Sequence, residues 1–260
     1  MFDSKSFYQE LDIHFVQKDP RALEEFLVSS LQQAKADGER PAQVVVSNEL
    51  GGLYRAMGRI GDALELHESV LAILTEDGQQ DTINYATALI NLGDVYASAG
   101  ITNGGRTEYL KKAVDVFSEA KGRLATLNLE KDYRMAALCN NISAVYKELG
   151  QFPDAEKQLA EAFAIIGGIP GAEGEQAVTR TNLAELQLAQ QKYEEAEDSF
   201  NQAMKHFETI APDGQGGSND VHYAAALMGL ARLKQETGEP QEAEQLQQKA
   251  SEYHKRDYGV

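Results

Sequence analysis

Residues 90–100, "INLGDVYASAG", decide the fold, because four other segments repeat their pattern: "NELGGLYRAMG" (48–58), "NNISAVYKELG" (140–150), "TNLAELQLAQQ" (181–191) and "MGLARLKQETG" (228–238). The anchoring apolar residues are Leu50, Leu92, Ile142, Leu183 and Leu230, spaced by 42, 50, 41 and 47 positions. Each segment precedes a second stretch with apolar residues three and four apart: "IGDALELHESVLAIL" (60–74), "TEYLKKAVDVF" (107–117), "FPDAEKQLAEAFAII" (152–166), "KYEEAEDSFNQAMKHF" (192–207) and "PQEAEQLQQKASEY" (240–253). That spacing puts the apolar residues on one helical face. Each unit therefore reads as helix, short turn, helix, and the fold class as all-α.

The residues at the close crossings narrow this further. Leu50-Gly51 with Tyr54 and Leu92-Gly93 with Tyr96 carry a Leu-Gly-x2-Tyr pattern in the first helix, while Ala113 with Phe117 and Ala196 with Phe200 carry an Ala-x3-Phe pattern in the second. Ser143 and Ala184 keep the glycine column small, and Ala63, Ala155 and Ala243 keep the alanine column. This signature resembles the tetratricopeptide repeat (TPR) family. The resemblance covers residues 41–258 and implies a right-handed TPR-type superhelix, an α-solenoid of about six antiparallel helix pairs. Two departures stand out. The family's Trp column holds Ser47, Leu89, Cys139, Arg180 and Leu227, and the proline that usually ends the second helix is missing. Repeats near 42 residues resemble the long-repeat subclass of kinesin light chains and bacterial peptide-sensing regulators.

No composition break marks a second domain, so residues 1–260 read as one solenoid. Residues 4–37 form a degenerate opening pair, with Asp19-Pro20 starting its second helix. Five TPR-like repeats follow, over 41–75, 81–122, 130–167, 172–210 and 218–258. The polar or Gly-rich stretches 75–81, 167–175 and 211–220 read as joints between pairs. Gly58, Gly100, Gly150 and Gly238 fall at the turn inside a pair, where a left-handed residue ends the first helix. Residues 118–134 continue a helical pattern, which makes the second helix of its pair long.

Composition excludes several functions. A formal net charge of −17 opposes binding to nucleic acid or anionic membranes, which need a concentrated basic face. No stretch approaches the roughly 18 apolar residues of a membrane span, and the opening "MFDSKSFYQELDIHF" shows no leader pattern. One cysteine rules out a disulfide framework. A cytoplasmic protein is expected. The five histidines are scattered with no two-His metal motif; His67 stands in a core aromatic column and Cys139 reads as core filler. "GGIPGAEGE" lacks the Gly-Lys-Ser/Thr ending of a phosphate loop. We expect no catalytic residues, no metal and no cofactor, hence no enzyme.

What remains is a polar column. The residue before each anchor reads Glu49, Asn91, Asn141, Asn182, Gly229. Only 10 of 260 residues are asparagine, so three in a five-member column exceed chance. Each costs its helix up to about 0.7 kcal/mol relative to alanine, so a compensating interaction is expected. Two interactions fit. Each amide bonds the neighbouring first helix, or the amides grip the backbone of an extended peptide, whose C=O and N–H match their donors and acceptor. The resemblance places this column on the inner, concave wall, where kinesin light chains and the bacterial regulators carry peptide-contacting asparagines. The same wall takes in Asn48 and Asn140, one residue earlier, Asp94, Glu185 and Arg232 two beyond the anchor, and Arg55 and Lys147 a turn further. Its charges are mixed, with no basic pair set to clamp a free carboxylate. The expected partner is a protein or peptide, bound by a monomer. The alternative is a structural or self-associating scaffold that uses its convex face or terminal helices, although the polar last helix, 240–258, suits a solubilising cap.

Overall fold

The computed structural model describes residues 2–102, 106–210 and 218–258, and among these the chain forms twelve α-helices and no strand. The fold is all-α, of the α-solenoid class. The chain divides into two compact units, residues 1–129 and 130–260.

The first unit holds three helix pairs: α1 (Ser4–Gln17) with α2 (Pro20–Ala36), α3 (Arg40–Ala56) with α4 (Ile60–Glu76), and α5 (Ile83–Thr102) with α6 (Thr107–Thr126). Asp19 caps α2 as its position before proline predicts, its carboxylate accepting from the backbone N–H of Arg21 (3.0 Å) and Ala22 (3.3 Å). Such a cap contributes about 1 kcal/mol. A continuous core of Phe7, Leu11, Leu27, Val46, Leu50 and Ala63 ties the degenerate opening pair to the next. The small-residue columns mark where helices touch. A Cβ built on Gly93 would lie 2.3 Å from Phe117 Cε1, and one on Gly51 would lie 2.6 Å from His67 Nε2. Glycine at these two positions lets the first helix sit directly on an aromatic side chain of the second.

The second unit repeats the plan with α7 (Tyr133–Glu148) and α8 (Phe152–Ile166), α9 (Glu173–Ala189) and α10 (Tyr193–Ile210), and α11 (Ser218–Glu236) and α12 (Pro240–Tyr258). Within it, α9 packs against α10 and also against both α7 and α11, so the first helices of successive pairs adjoin. In the first unit α3 and α5 adjoin in the same way. The buried Lys234 of α11 is stabilised by three carboxylates, with Nζ 2.8 Å from Glu197, 3.3 Å from Glu239 and 3.6 Å from Glu242, which offset its desolvation.

Several local expectations need correction. Gly58, Gly150 and Gly238 do adopt left-handed φ of 74°, 71° and 87°, but Gly100 does not. It lies inside α5, where a Cβ would come 2.5 Å from Leu110 Cδ2 of α6, so close packing rather than a turn explains that glycine. The 167–175 joint ends sooner than expected, because α9 begins at Glu173 and carries Glu173 and Glu175 in its first turn. Acidic residues there are favoured by the positive end of the helix. The long second helix expected after residue 118 is present as α6, which ends at Thr126. Of the 211–220 joint, residues 211–217 lie outside the described residues, and α11 starts at Ser218.

Candidate functional site

In the first unit, Asn91 is half-buried on α5 and its Nδ2 donates to Asn48 Oδ1 on α3, 3.2 Å away. This amide thus bonds the neighbouring first helix, the structural role left open by the sequence. Asn48 also lines a cavity of about 260 Å³ with Val44, Val45, Leu74 and Asn84. Asp94 is half-buried and engaged within the protein, while Arg55 is exposed near the end of α3. Glu49, heading the column, has its carboxyl pushed up by burial.

The second unit gathers more of the wall. Asn140, Asn141 and Asn182 all line one cavity of about 670 Å³. Asn140 is only 6% exposed. Its Nδ2 donates to Thr179 Oγ1 of α9 at 2.9 Å, and that hydroxyl donates in turn to the Glu175 carbonyl at 2.9 Å. The other end of the amide, Oδ1, is buried with no donor among the described residues. Asn141 is half-buried and engaged within the protein. Asn182 is half-buried and makes no side-chain hydrogen bond among the described residues. The cavity's apolar share comes from Tyr133, Ile166, Val178 and Ile210, and Glu173, Glu175 and His222 complete its polar lining. Desolvation at the cavity lowers the His222 pKa, partly offset by the nearby Glu175 charge.

Lys147, Glu185 and Arg232 come together beside a second cavity of about 350 Å³. Glu185 of α9 pairs with Lys147 of α7 at 3.5 Å and with Arg232 of α11. The sequence offered no basic pair; the structure brings two cations onto one carboxylate. Glu185 fills the place that a ligand carboxylate would otherwise take, and Glu148, 3.2 Å from Lys147 Nζ, supplies the second carboxylate that balances the two cations.

Five residues around the large cavity escaped the sequence reading. Thr179 lies four positions before its anchor, off the column followed there. Glu173 and Glu175 were hidden in a stretch read as a joint. Tyr133 and His222 open their helices ahead of the repeat motif. An amphipathic reading of 173–182 as a helix was the signal that could have found three of them.

Other candidates are inert in their surroundings. Cys139 is fully buried, and His67 is 2% exposed against Gly51. Among the described residues no group of three His, Cys, Asp or Glu could hold a metal ion, and no helix is long and apolar enough to cross a membrane.

Comparison with known proteins places this geometry. The tetratricopeptide repeat family matches residues 43–100 and 133–209, and a second tetratricopeptide repeat description matches 224–259. The Arabidopsis thaliana protein kinesin light chain-related 2 is 21% identical over 212 residues, covering 81% of this chain. The chain spans 30% of that relative's length. Among solved structures, BtubC (BKLC) from P. vanneervenii superposes with a TM-score of 0.66 at 19% identity, over 93% of each chain. NprR in complex with its cognate peptide NprX superposes with a TM-score of 0.63 at 17% identity, over 99% of this chain and 70% of that one. RapI in its apo form gives 0.62 at 13% identity, over 96% of this chain and 97% of that one.

Proposed function

We propose that this chain, which belongs to the tetratricopeptide repeat family, is a non-catalytic protein-interaction module that binds an extended peptide or partner segment along its first helices. The observation that carries this reading is the cavity of about 670 Å³ between α7, α9 and α11, where three of the expected asparagines meet exposed apolar surface from Tyr133 and Ile210. Its volume lies in the range of ligand sites, about 300–1,000 Å³. Asn182, whose amide makes no side-chain hydrogen bond among the described residues, offers the donor and acceptor that a peptide backbone needs. NprR, which shares the fold, was solved holding a peptide.

The asparagines have different roles in this reading. Asn91 contributes to holding α3 and α5 together, while Asn141 and Asn182 face the peptide. Selection of an N-acetylated, C-amidated hexapeptide library against the full chain tests it. Selected peptides are expected to lose at least about tenfold in affinity to an Asn141→Ala/Asn182→Ala variant that keeps its helical circular dichroism, the loss of two or more peptide hydrogen bonds. A library that yields no binder, or binders indifferent to that variant, overturns it.

One observation favours a second reading, self-association through the first helix. The outward arc of α1 exposes Tyr8, Ile13, Phe15 and Val16, the last at 80%. Exposed apolar patches mark contact surfaces. Light scattering of the full chain is expected to report a dimer that Ile13→Lys/Val16→Lys dissociates. A wild-type monomer at 100 μM, a probe concentration far above the Kd of a stable dimer, removes this reading.

A further inference from the structure

We infer that the first unit carries a groove site of its own, the cavity of about 260 Å³ lined by α3 and α5, and that it takes an uncharged carboxamide side chain, asparagine or glutamine, of a bound peptide. This rests on the peptide-binding reading above and extends it to a part of the chain that the reading left without a ligand.

The cavity is a product of the repeat. Counted from the anchors Leu50 and Ile142, the residues Val44, Val45 and Asn48 of α3 stand where Ala136, Ala137 and Asn140 of α7 line the larger cavity. Counted from Ala63 and Ala155, Leu74 of α4 stands where Ile166 of α8 does. The following first helix lines each cavity from the facing side, α5 in one unit and α9 in the other. Both are one architectural pocket, formed where a first helix meets its successor. What each can hold is set by the positions at which their linings differ.

Those differences make the first-unit pocket neutral and rich in hydrogen-bonding groups. Asn84 and Thr87 of α5 stand where α9 has Glu175 and Val178, and Gln79 stands where the second unit has Gly171. The one acidic residue in the lining, Asp77, is already paired with Arg40, 2.8 Å away. A charged guest would therefore lose its water without gaining a counter-charge, whereas an amide that is hydrogen-bonded is buried at little cost. The lining offers an amide both kinds of partner. Asn48 presents a donor: its Oδ1 accepts from Asn91 at 3.2 Å, while its Nδ2 keeps accessible surface and makes no hydrogen bond among the described residues. Asn84 and Thr87 are exposed and make no side-chain hydrogen bond among the described residues, so their oxygens are open to a donor. A carboxamide brings one acceptor oxygen and two N–H donors, which matches Asn48 on one side and Asn84 or Thr87 on the other. Val44, Val45 and Leu74 give its methylene stem an apolar wall.

The capped hexapeptide library tests this when it is selected on the wild-type chain and its binders are measured again on an Asn84→Ala/Thr87→Val variant that keeps its helical circular dichroism. Both residues are exposed and support no internal hydrogen bond, so the variant deletes the site's polar groups without disturbing the helix pair. A class of binders is expected to lose at least about tenfold in affinity on the variant, the loss of two or more hydrogen bonds, and to carry Asn or Gln at one position. Changing that residue to Asp or Glu, which keeps the shape and adds a charge, is expected to weaken binding to the wild-type chain at least about tenfold. On the variant the same change is expected to shift affinity less than about threefold, because the site no longer holds the amide. Binders that depend on Asn141 and Asn182 but not on Asn84 and Thr87 overturn this inference and leave the reading of the second unit intact. So do binders that depend on Asn84 and Thr87 yet show no preference for Asn or Gln, since no carboxamide is then recognised. A library without binders removes both.

Discussion

Replacing Gly93 with alanine is expected to destabilise the protein by about 2 kcal/mol, although an ordinary helical Gly→Ala change stabilises by up to about 1 kcal/mol. The new Cβ would sit 2.3 Å from Cε1 and 2.5 Å from Cδ1 of Phe117. Phe117 is fully buried between its neighbours, so the ring has no open space to retreat into. Either α5 lifts from α6 or the ring leaves its rotamer, and overpacking of that kind costs about 1–3 kcal/mol. Gly52 gives the contrast. It lies in α3, one residue past the close-packed Gly51, and a Cβ there would meet nothing within 4 Å. Gly52→Ala is expected to stabilise by about 0.5–1 kcal/mol. Urea unfolding of both variants checks the pair of signs. A further cycle isolates the cause: Gly93→Ala combined with Phe117→Leu should be less destabilised than the sum of the singles by at least about 1 kcal/mol. Equal effects at Gly93 and Gly52, or an additive cycle, would mean that the two helices are not held apart by these atoms.

That packing was legible in the sequence because it repeats. Leu-Gly-x2-Tyr and Ala-x3-Phe state which residues share a face, and face periodicity is what a helix makes of spacing. The opening pair was legible through a cap, Asp19 before Pro20, and it folds accordingly. The wall was legible only as a list of positions. A column specifies the face a residue occupies, but it says nothing of the neighbour it meets across the gap. Asn91 found Asn48 one position off its own column, and Asn140 found Thr179 two places off its own register. Lys147, Glu185 and Arg232 belong to three repeats, so only the packing of α7, α9 and α11 could bring them together. Gly100 misled for a related reason. Glycine at a helix end and glycine at a helix crossing look the same in sequence, and here the crossing against Leu110 took precedence.

His67 stands in the core where other repeats carry phenylalanine, and it yields the second large effect. Phe117 and Phe200 fill the corresponding column in other repeats and are fully buried. His67 is 2% exposed, its Nδ1 has no hydrogen-bond partner among the described residues, and burial lowers its pKa from 6.5 to about 4, with the Arg55 charge adding to the shift. The folded state therefore binds its proton less readily than the unfolded state. Stability from this group is complete above pH 6.5 and is lost as pH falls from there toward 4. At 1.36 kcal/mol per pH unit the loss over that window is about 3 kcal/mol. His67→Phe removes the titration and the unpartnered nitrogen, and the close approach of Gly93 to Phe117 indicates that a glycine-backed site of this kind accepts a phenyl ring. We expect the variant to gain about 1–3 kcal/mol at pH 7, the cost of burying an unsatisfied polar atom. Its advantage should widen by a further 2–3 kcal/mol, to order of magnitude, by pH 4.5. Subtracting the two urea-unfolding curves at each pH cancels the acid sensitivity that both proteins share from their other carboxylates and histidines. If that difference stays constant between pH 7 and 4.5, His67 is protonated equally in both states and its burial carries no penalty. If it widens, the histidine makes this junction between α3 and α4 the acid-labile joint of the first unit, because protonating it places a charge directly against Gly51.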